Sequence, residues 1–544
     1  MNRLFFCICT FFLYVPLLAQ VSFTSSNLPI VLIDTDDQQI LDASRIVASM
    51  QIIYNGEDKL SSIEDPANVY NGRISIEYRG SSSQSYPKKS FGLETQLSNG
   101  DNNNVSLLGM PEENDWILYA PYADKSLMRN VLAYYIANSM GEYAARTRFC
   151  ELVINGNYQG VYVLMEKLKR DKNRIDIAKL DPDEIEGDDL TGGYIFKIDK
   201  QTGSGGDGWF STYTPPYNSY QKIFFQYEYP ESETIVPEQA AYIEDFMHAF
   251  EDNLQSEDFA DSLKGYRQYI DTDSFIDYMI VNEVCKNIDA YRLSTFLYKD
   301  KDSNGGKLHI GPVWDFNFSA GNINYCQGEL TTGWVLDFNQ ICTDDFWLIP
   351  FWWEKLRQDN AFNQQSYQRW QQLRQTVLSA DKLLSWITEQ ETFLHKAQIR
   401  NFSKWQILDE YIWPNNYVGG DYSSEIAYLK NWLSDRLDWL DSAFEELASP
   451  NSANILGVEV VKVTPNPFNE SLQWTYRAVK GDVILIELLD MTGKKMGEWS
   501  IVCEHTGQNT ATWKQSATIL SEGLYVYHFS INQNEVKREL ILKY

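Results

Sequence analysis

Glu151-Leu152-Val153-Ile154 and Gly160-Val161-Tyr162-Val163-Leu164 flank Asn155-Gly156-Asn157, so an Asn-Gly pair stands between two apolar runs. Asn and Gly tolerate the positive φ of a tight turn, which makes this the strongest short-range signal for an antiparallel hairpin. Upstream, Pro29-Ile30-Val31-Leu32-Ile33 and the alternating Ile74-Ser75-Ile76-Glu77-Tyr78 also read as strands. A β-rich first part extending to about residue 200 is expected, interrupted by one helix from Asp124 to Gly141. In that helix Asp124 is the N-cap, Leu127, Val131, Leu132, Tyr135 and Ile136 share a face, and Gly141 terminates it.

Downstream, residues 201–221 are rich in Gly, Ser, Thr, Pro and Tyr, which excludes a long ordered element and leaves a substrate lid or a plain insertion. From Pro237 to Asn287, and again from Asp345 to about Leu447, the composition turns helical. Trp352, Trp353, Trp370, Trp386, Trp405, Trp432 and Trp439, spread through these helices, read as core before they read as a sugar-binding surface. Residues 448–454 have linker composition. Beyond them, short strands with turns at Thr492-Gly493 and Glu522-Gly523 describe a small β-sandwich over 455–544. The fold class is α+β.

Arg3, the apolar run from Leu4 to Leu18 and the small Ala19 have the order of a secretory signal peptide over 1–19. The run is shorter than the about 20 apolar residues of a span and contains Pro16, so the mature chain is expected to carry no transmembrane segment. A formal charge of −29 repels phosphate backbones, which argues against nucleic acid as a partner and suits divalent cations. Two of the seven cysteines, Cys7 and Cys9, leave with the signal. The other five show neither a CxxC pair nor zinc spacing, and export permits a Cys326 to Cys342 disulfide.

Two constellations bear chemistry. Tyr78-Arg79-Gly80-Ser81-Ser82-Ser83-Gln84-Ser85-Tyr86-Pro87-Lys88-Lys89-Ser90-Phe91 puts small residues after a strand, beside cations. Such a run can form an anion-binding nest or an ordinary exposed turn; it has no Walker spacing. The second pairs Asn287-Ile288-Asp289-Ala290-Tyr291-Arg292-Leu293-Ser294 with Gly311-Pro312-Val313-Trp314-Asp315-Phe316-Asn317. Two short strands between them bring Asp289 and Asp315 to one end of a hairpin. Phosphoryl transfer uses such a pair, one carboxylate for the attacking hydroxyl and one for the metal; two solvated carboxylates at strand ends are the structural alternative.

In order along residues 25–445, the Arg-Gly-Ser-Ser-Ser segment with its Pro-Lys-Lys-Ser-Phe, Asp124-Lys125-Ser126-Leu127-Met128-Arg129-Asn130, Gly160 to Lys167, Asp171-Lys172-Asn173-Arg174-Ile175 and Trp314-Asp315-Phe316 resemble the spore coat protein H (CotH) kinase family. The resemblance implies an atypical, divergent, two-lobed protein-kinase-like domain over 20–447, which transfers phosphate from ATP to Ser or Thr of exported proteins. It assigns Asp289 as the catalytic-loop carboxylate and Asp315 as the metal-binding Asp, with Mg²⁺ or Mn²⁺. Lys88 or Lys89 would reach the ATP phosphates, with Arg79, Ser81, Ser82 and Ser83 nearby; sequence does not choose between the lysines. Glu166 stands where a kinase hinge meets adenine, or in a structural salt bridge, and Arg129 faces the site or pairs with an acid. Where active members carry a metal-binding Asn this chain has Ser294, a weaker neutral ligand for which Asn317 or Asn322 would have to substitute.

Val463-Thr464-Pro465-Asn466-Pro467-Phe468, Leu488 to Lys494 and Glu522-Gly523-Leu524-Tyr525 resemble the sorting domain of the type IX secretion system. That resemblance implies export through the periplasm to the medium or the outer-membrane surface, with the type IX machinery as a partner. Three functions remain open from the residues: an active exported kinase with an unidentified protein acceptor, a nucleotide-binding pseudokinase or structural surface protein, and a carbohydrate-binding adhesin.

Overall fold

The computed structural model describes residues 22–42, 44–201, 207–218, 220–449, 459–469, 471–478, 481–503, 507–514, 520–531 and 534–544. The expected signal peptide, most of the 448–454 linker and part of the 201–221 loop lie outside the described residues. Strands β1 (Ile30–Asp34), β2 (Ile46–Ile53), β3 (Tyr70–Arg79), β4 (Ser90–Gln96), β5 (Asp115–Tyr119), β6 (Thr147–Ile154) and β7 (Asn157–Glu166) close into a barrel. Its order is β1-β2-β3-β4-β5-β7-β6, and the last step back is a parallel pairing of β6 with β1, Ile30 opposite Glu151.

The β6–β7 hairpin turns through Asn155 at φ 50° and Gly156 at φ 71°. The Asn155 side chain also ties the hairpin to the end of β1, accepting the Thr35 N–H at 2.9 Å and donating to Thr35 Oγ1 at 2.9 Å. Strand alternation supplies the filling of the barrel: Val31 and Ile33, Met50 and Ile52, Ile74 and Ile76, Phe91 and Leu93, Trp116 and Leu118, Leu152, and Tyr162 and Leu164 form one buried cluster. The expected first part is thus a closed barrel, a property set by a parallel contact between strands far apart in sequence.

Helix α1 (Arg129–Met140) follows β5. It starts later than Asp124, because the Asp124 carboxylate accepts the Ser126 N–H and hydroxyl in a local turn that competes with helix, and Leu127 takes φ 67°. Asp124 still caps it from outside by accepting the Arg129 N–H at 2.8 Å, and Gly141 ends it at φ 100°.

A second sheet contains β8 (Tyr194–Ile198), β9 (Gly208–Phe210), β10 (Phe224–Tyr229), β11 (Thr295–Lys299) and β12 (Leu308–Ile310), in the order β9-β10-β8-β11-β12. It spans the point near residue 200 where sequence composition changes. Helices α2 (Pro237–Gln255) and α3 (Thr272–Cys285) precede β11, and α4 (Asn360–Arg374), α5 (Ala380–Lys404) and α6 (Tyr422–Leu447) follow. Trp352, Trp353, Trp370 and Trp432 are buried, whereas Trp386, Trp405 and Trp439 are half-buried. Cys326 and Cys342 form a disulfide with Cα atoms 5.7 Å apart; Cys150, Cys285 and Cys503 are free and buried.

The C-terminal region is a β-sandwich. One sheet joins β13 (Glu459–Thr464), β14 (Ser471–Ala478) and β17 (Gly507–Lys514); the other joins β15 (Val483–Asp490), β16 (Lys495–Val502), β18 (Gly523–Ile531) and β19 (Asn534–Lys543). Trp474, Tyr476 and Trp513 from the first meet Ile486, Leu488, Tyr527 and Phe529 from the second in one core. The molecule is α+β, with a seven-stranded barrel that a two-lobed kinase-like expectation does not include.

Gly160 of β7 takes φ 105°, and a Cβ there would stand 2.6 Å from Asn401 Oδ1 and 3.1 Å from Trp405 Nε1. Asn401 Oδ1 already accepts the Val161 N–H at 3.1 Å and Lys88 Nζ at 2.9 Å. Gly160→Ala is expected to destabilise the protein by about 2 kcal/mol through a disfavoured φ and overpacking. A urea titration should show a lower midpoint.

Candidate active site

Asp289 lies in the loop that leaves α3 and enters β11, and Asp315 lies just after β12. β11 and β12 pair antiparallel, Leu297 opposite Ile310 and Lys299 opposite Leu308, so the entry of one strand and the exit of the other share an end. Tyr291 (φ 68°), Ser294 (φ 48°) and Asp315 (φ 62°) all hold left-handed backbone there. Each such residue costs about 1–3 kcal/mol and persists only where the surroundings over-determine it.

For Asp315 the surroundings come from α1. Its N–H donates to Tyr134 Oη at 3.3 Å, and the Phe316 N–H donates to Asn130 Oδ1 at 2.5 Å. Arg129 Nε donates to the Ala320 carbonyl at 3.3 Å, while its Nη1 donates to Asp124 Oδ1 at 2.6 Å, both side chains being 1 % exposed. The Trp314 ring stacks on Tyr134 with centroids 5.9 Å apart, and the Arg79 guanidinium stands 5.8 Å from the Trp314 ring.

Desolvation, with Asp289 and Asp199 close by, pushes the Asp315 carboxyl up to about 7, against the opposing pull of Lys200 and Arg79. Desolvation and Asp345 also raise Asp289, while Arg292 and Lys200 lower it. Asp289 Oδ1 accepts from Arg292 Nη2 at 2.7 Å; among the described residues its Oδ2 carries no hydrogen bond. The site is therefore a group of partly buried carboxylates faced by Arg79, Lys200 and Arg292. Carboxylate oxygens suit a hard divalent cation, and such a cation would offset the mutual repulsion that raises Asp315. Among the described residues no three His, Cys, Asp or Glu side chains gather into one metal-ligand set.

The other candidates fall in four places. Ser82 to Ser85 form a short 3-10 turn after β3, with Ser81 and Ser82 exposed and Ser83 half-buried, adjacent in the chain to Arg79. Lys89 Nζ folds back to the Gln84 carbonyl of that turn. Lys88 runs inward instead, donating to the Val161 carbonyl at 2.5 Å and Asn401 Oδ1 at 2.9 Å; burial pulls its amine down to about 7. Glu166 is buried, and both its oxygens accept from Arg146 Nη1, at 2.9 and 3.1 Å, with Tyr143 Oη at 3.2 Å. Ser294 and Asn317 are half-buried at the carboxylate end of the sheet, whereas the Asn322 side chain is committed to the Ala123 and Asn317 carbonyls and to Asn415.

Sequence reading assigned no role to Asp199, Lys200, Arg292 or Asp345. Arg292 was legible by its spacing of three from Asp289, which puts both side chains on one side of a turn. Asp199-Lys200 ends a strand immediately before a Gly-rich loop, a common place for site residues. Asp345 carried no local signal.

The family model described as CotH kinase protein matches residues 76–440. The chain belongs to the CotH kinase family. The model of the secretion system C-terminal sorting domain matches residues 462–543, and this tail marks the CotH protein for the type IX machinery and for release or display at the outer-membrane surface. Among the described residues no helix is long and apolar enough to cross a membrane. No curated protein matches the chain. Among solved structures, the Pseudomonas fluorescens alkylpurine DNA glycosylase AlkC bound to DNA containing an abasic site analog aligns at 11 % identity over 40 % of this chain and 70 % of that one, with a TM-score of 0.12, which carries no argument.

Within the CotH domain the Asp124–Arg129 pair is the buried support of the Asp315 segment. Arg129→Met is expected to cost about 3–5 kcal/mol, because it strands a buried carboxylate and frees the Ala320 carbonyl. Chemical denaturation of the variant beside the wild type measures the loss.

Proposed function

We propose that this CotH-family protein is an exported atypical kinase that transfers the γ-phosphoryl group of ATP to a Ser or Thr hydroxyl of another exported protein. The observation that supports this most directly is the pairing of Asp289 with Asp315 at one end of the β11–β12 hairpin, opposite Arg79 and Lys200. In this reading the barrel with α1 takes the part of the first kinase lobe, and the second sheet with its helices takes the part of the second. Residues 1–19 act as the signal peptide that starts export.

Asp289 Oδ2 accepts the hydrogen bond of the acceptor hydroxyl and orients it for in-line attack, while Arg292 holds Oδ1. Arg79 and Lys200 offset phosphate charge. Asp315 would hold Mg²⁺ or Mn²⁺, with Ser294 and Asn317 as neutral oxygen donors; the cation supplies charge neutralisation of the phosphates. Mg²⁺ is commonly held by one or two carboxylates and completed by phosphate oxygens and water, which fits a site without a larger protein cage. Ser294 in place of an amide favours a second reading, a pseudokinase that binds nucleotide without turnover.

Calorimetric titration of ATP with Mg²⁺ or Mn²⁺ should show metal-dependent binding that Asp315→Ala abolishes. With Asp315 raised to about 7, its charged form is present above that pH and lost below it. Affinity for metal-ATP should therefore fall as pH drops from 8 to about 6. Absence of binding by the folded wild type with either metal would overturn the kinase reading; metal-dependent binding without turnover would select the pseudokinase.

A further inference from the structure

The Arg292 guanidinium uses four of its five N–H donors. Nη2 donates to Asp289 Oδ1 at 2.7 Å, Nη1 donates to Asp345 Oδ1 at 3.2 Å and to the Trp347 carbonyl at 3.1 Å, and Nε donates to the Ile288 carbonyl at 3.0 Å. The side chain is 3 % exposed, and its carbon lies 4.1 Å from the centroid of the Phe338 ring. Asp345 is itself fixed: its Oδ1 also accepts the Trp347 N–H at 2.8 Å, and its N–H donates to the carbonyl of Cys342 at 3.1 Å. Cys342 is bonded to Cys326, and Phe338 lies inside the loop that this bridge closes.

We infer that Asp345 is a positioning residue for Asp289, acting through Arg292, and that the Cys326–Cys342 bridge completes the tether. The inference rests on the kinase reading for the role of Asp289. A guanidinium with one carboxylate partner tends to a two-oxygen fork. With Asp345 in place, Arg292 is shared between two acids and touches only Oδ1 of Asp289, so Oδ2 stays available to an acceptor hydroxyl. Without Asp345 the guanidinium is released to turn onto both oxygens of Asp289 and block it. The bridge secures this sharing at two points, the Cys342 carbonyl under Asp345 and the Phe338 ring under Arg292. Its two thiols lose two protons and two electrons to a disulfide-exchanging oxidant, a reaction of the export compartment and not of a reducing cytoplasm. The tether is therefore complete only after export.

The test uses the full chain with three variants: Asp345→Ala, Asp345→Asn, which keeps an oxygen for Arg292 and for the Trp347 N–H, and the double Cys326→Ser/Cys342→Ser. ATP affinity is read by calorimetry with Mn²⁺, turnover by ADP release or self-phosphorylation, and mobility of 287–294 by hydrogen exchange. Asp345→Ala should lose at least tenfold in turnover with the ATP dissociation constant within twofold. Asp345→Asn should stay within threefold of wild type, and the double serine variant should fall at least threefold. Exchange over 287–294 should quicken in Asp345→Ala and in the double variant. Wild-type turnover in Asp345→Ala, or equal losses in the Ala and Asn variants with ATP affinity falling in parallel, would overturn the positioning role. Should the wild type neither bind nor turn over ATP, the kinase reading fails by itself. Exchange then decides the tether alone, unchanged rates in Asp345→Ala overturning it.

Discussion

A buried guanidinium, Arg129, sets the geometry on which the site depends. It joins Asp124, at the approach to α1, to the carbonyl of Ala320, beyond Asp315. Such a pair gains little over an apolar replacement in a well-packed core, but breaking one member is costly because the other stays buried and charged. What it contributes is register. With Arg129 in place, Asn130 and Tyr134 of the same helix meet the N–H groups of Phe316 and Asp315, and the left-handed backbone of Asp315 is held.

The carboxylates crowd together against their own repulsion because each is held by contacts of its own. Asp199, Asp289, Asp315 and Asp345 would separate in water, yet Lys197 stands by Asp199, Arg292 joins Asp289 to Asp345, and the Asp315 backbone is tied to Tyr134. A fold that pushes one carboxyl up to about 7 has given up stability at that point. The barrel, by contrast, has an apolar interior built by strand alternation, and Asn155 locks its hairpin to β1. Stability and site chemistry therefore occupy different parts of the chain, joined through α1.

Much of the local structure was legible because its causes are local. The Asn-Gly hairpin, Gly141 ending α1, the helices after Pro237 and the β-sandwich strands follow from turn chemistry and periodicity. The start of α1 was misplaced because Asp124 has two competing uses, capping a helix or closing a turn on Ser126, and the turn occupies the residues between. Barrel closure was hidden because the β1–β6 contact pairs strands widely separated in the chain, and alternation specifies a strand's faces but not its neighbour.

The sequence by itself determined the family and where the protein goes, and it singled out candidate residues for chemistry. The sorting tail is readable as a motif, and Asp289 and Asp315 are readable as a candidate pair by their place at the entry and exit of a short hairpin. Only the tertiary structure decided which cations serve the carboxylates. Arg79 and Lys200 act on Asp315, Arg292 holds Asp289, Lys88 is drawn inward to Val161 and Asn401, and Glu166 is taken by Arg146. Electrostatic partnership weakens with distance and strengthens with burial, and a linear chain states neither.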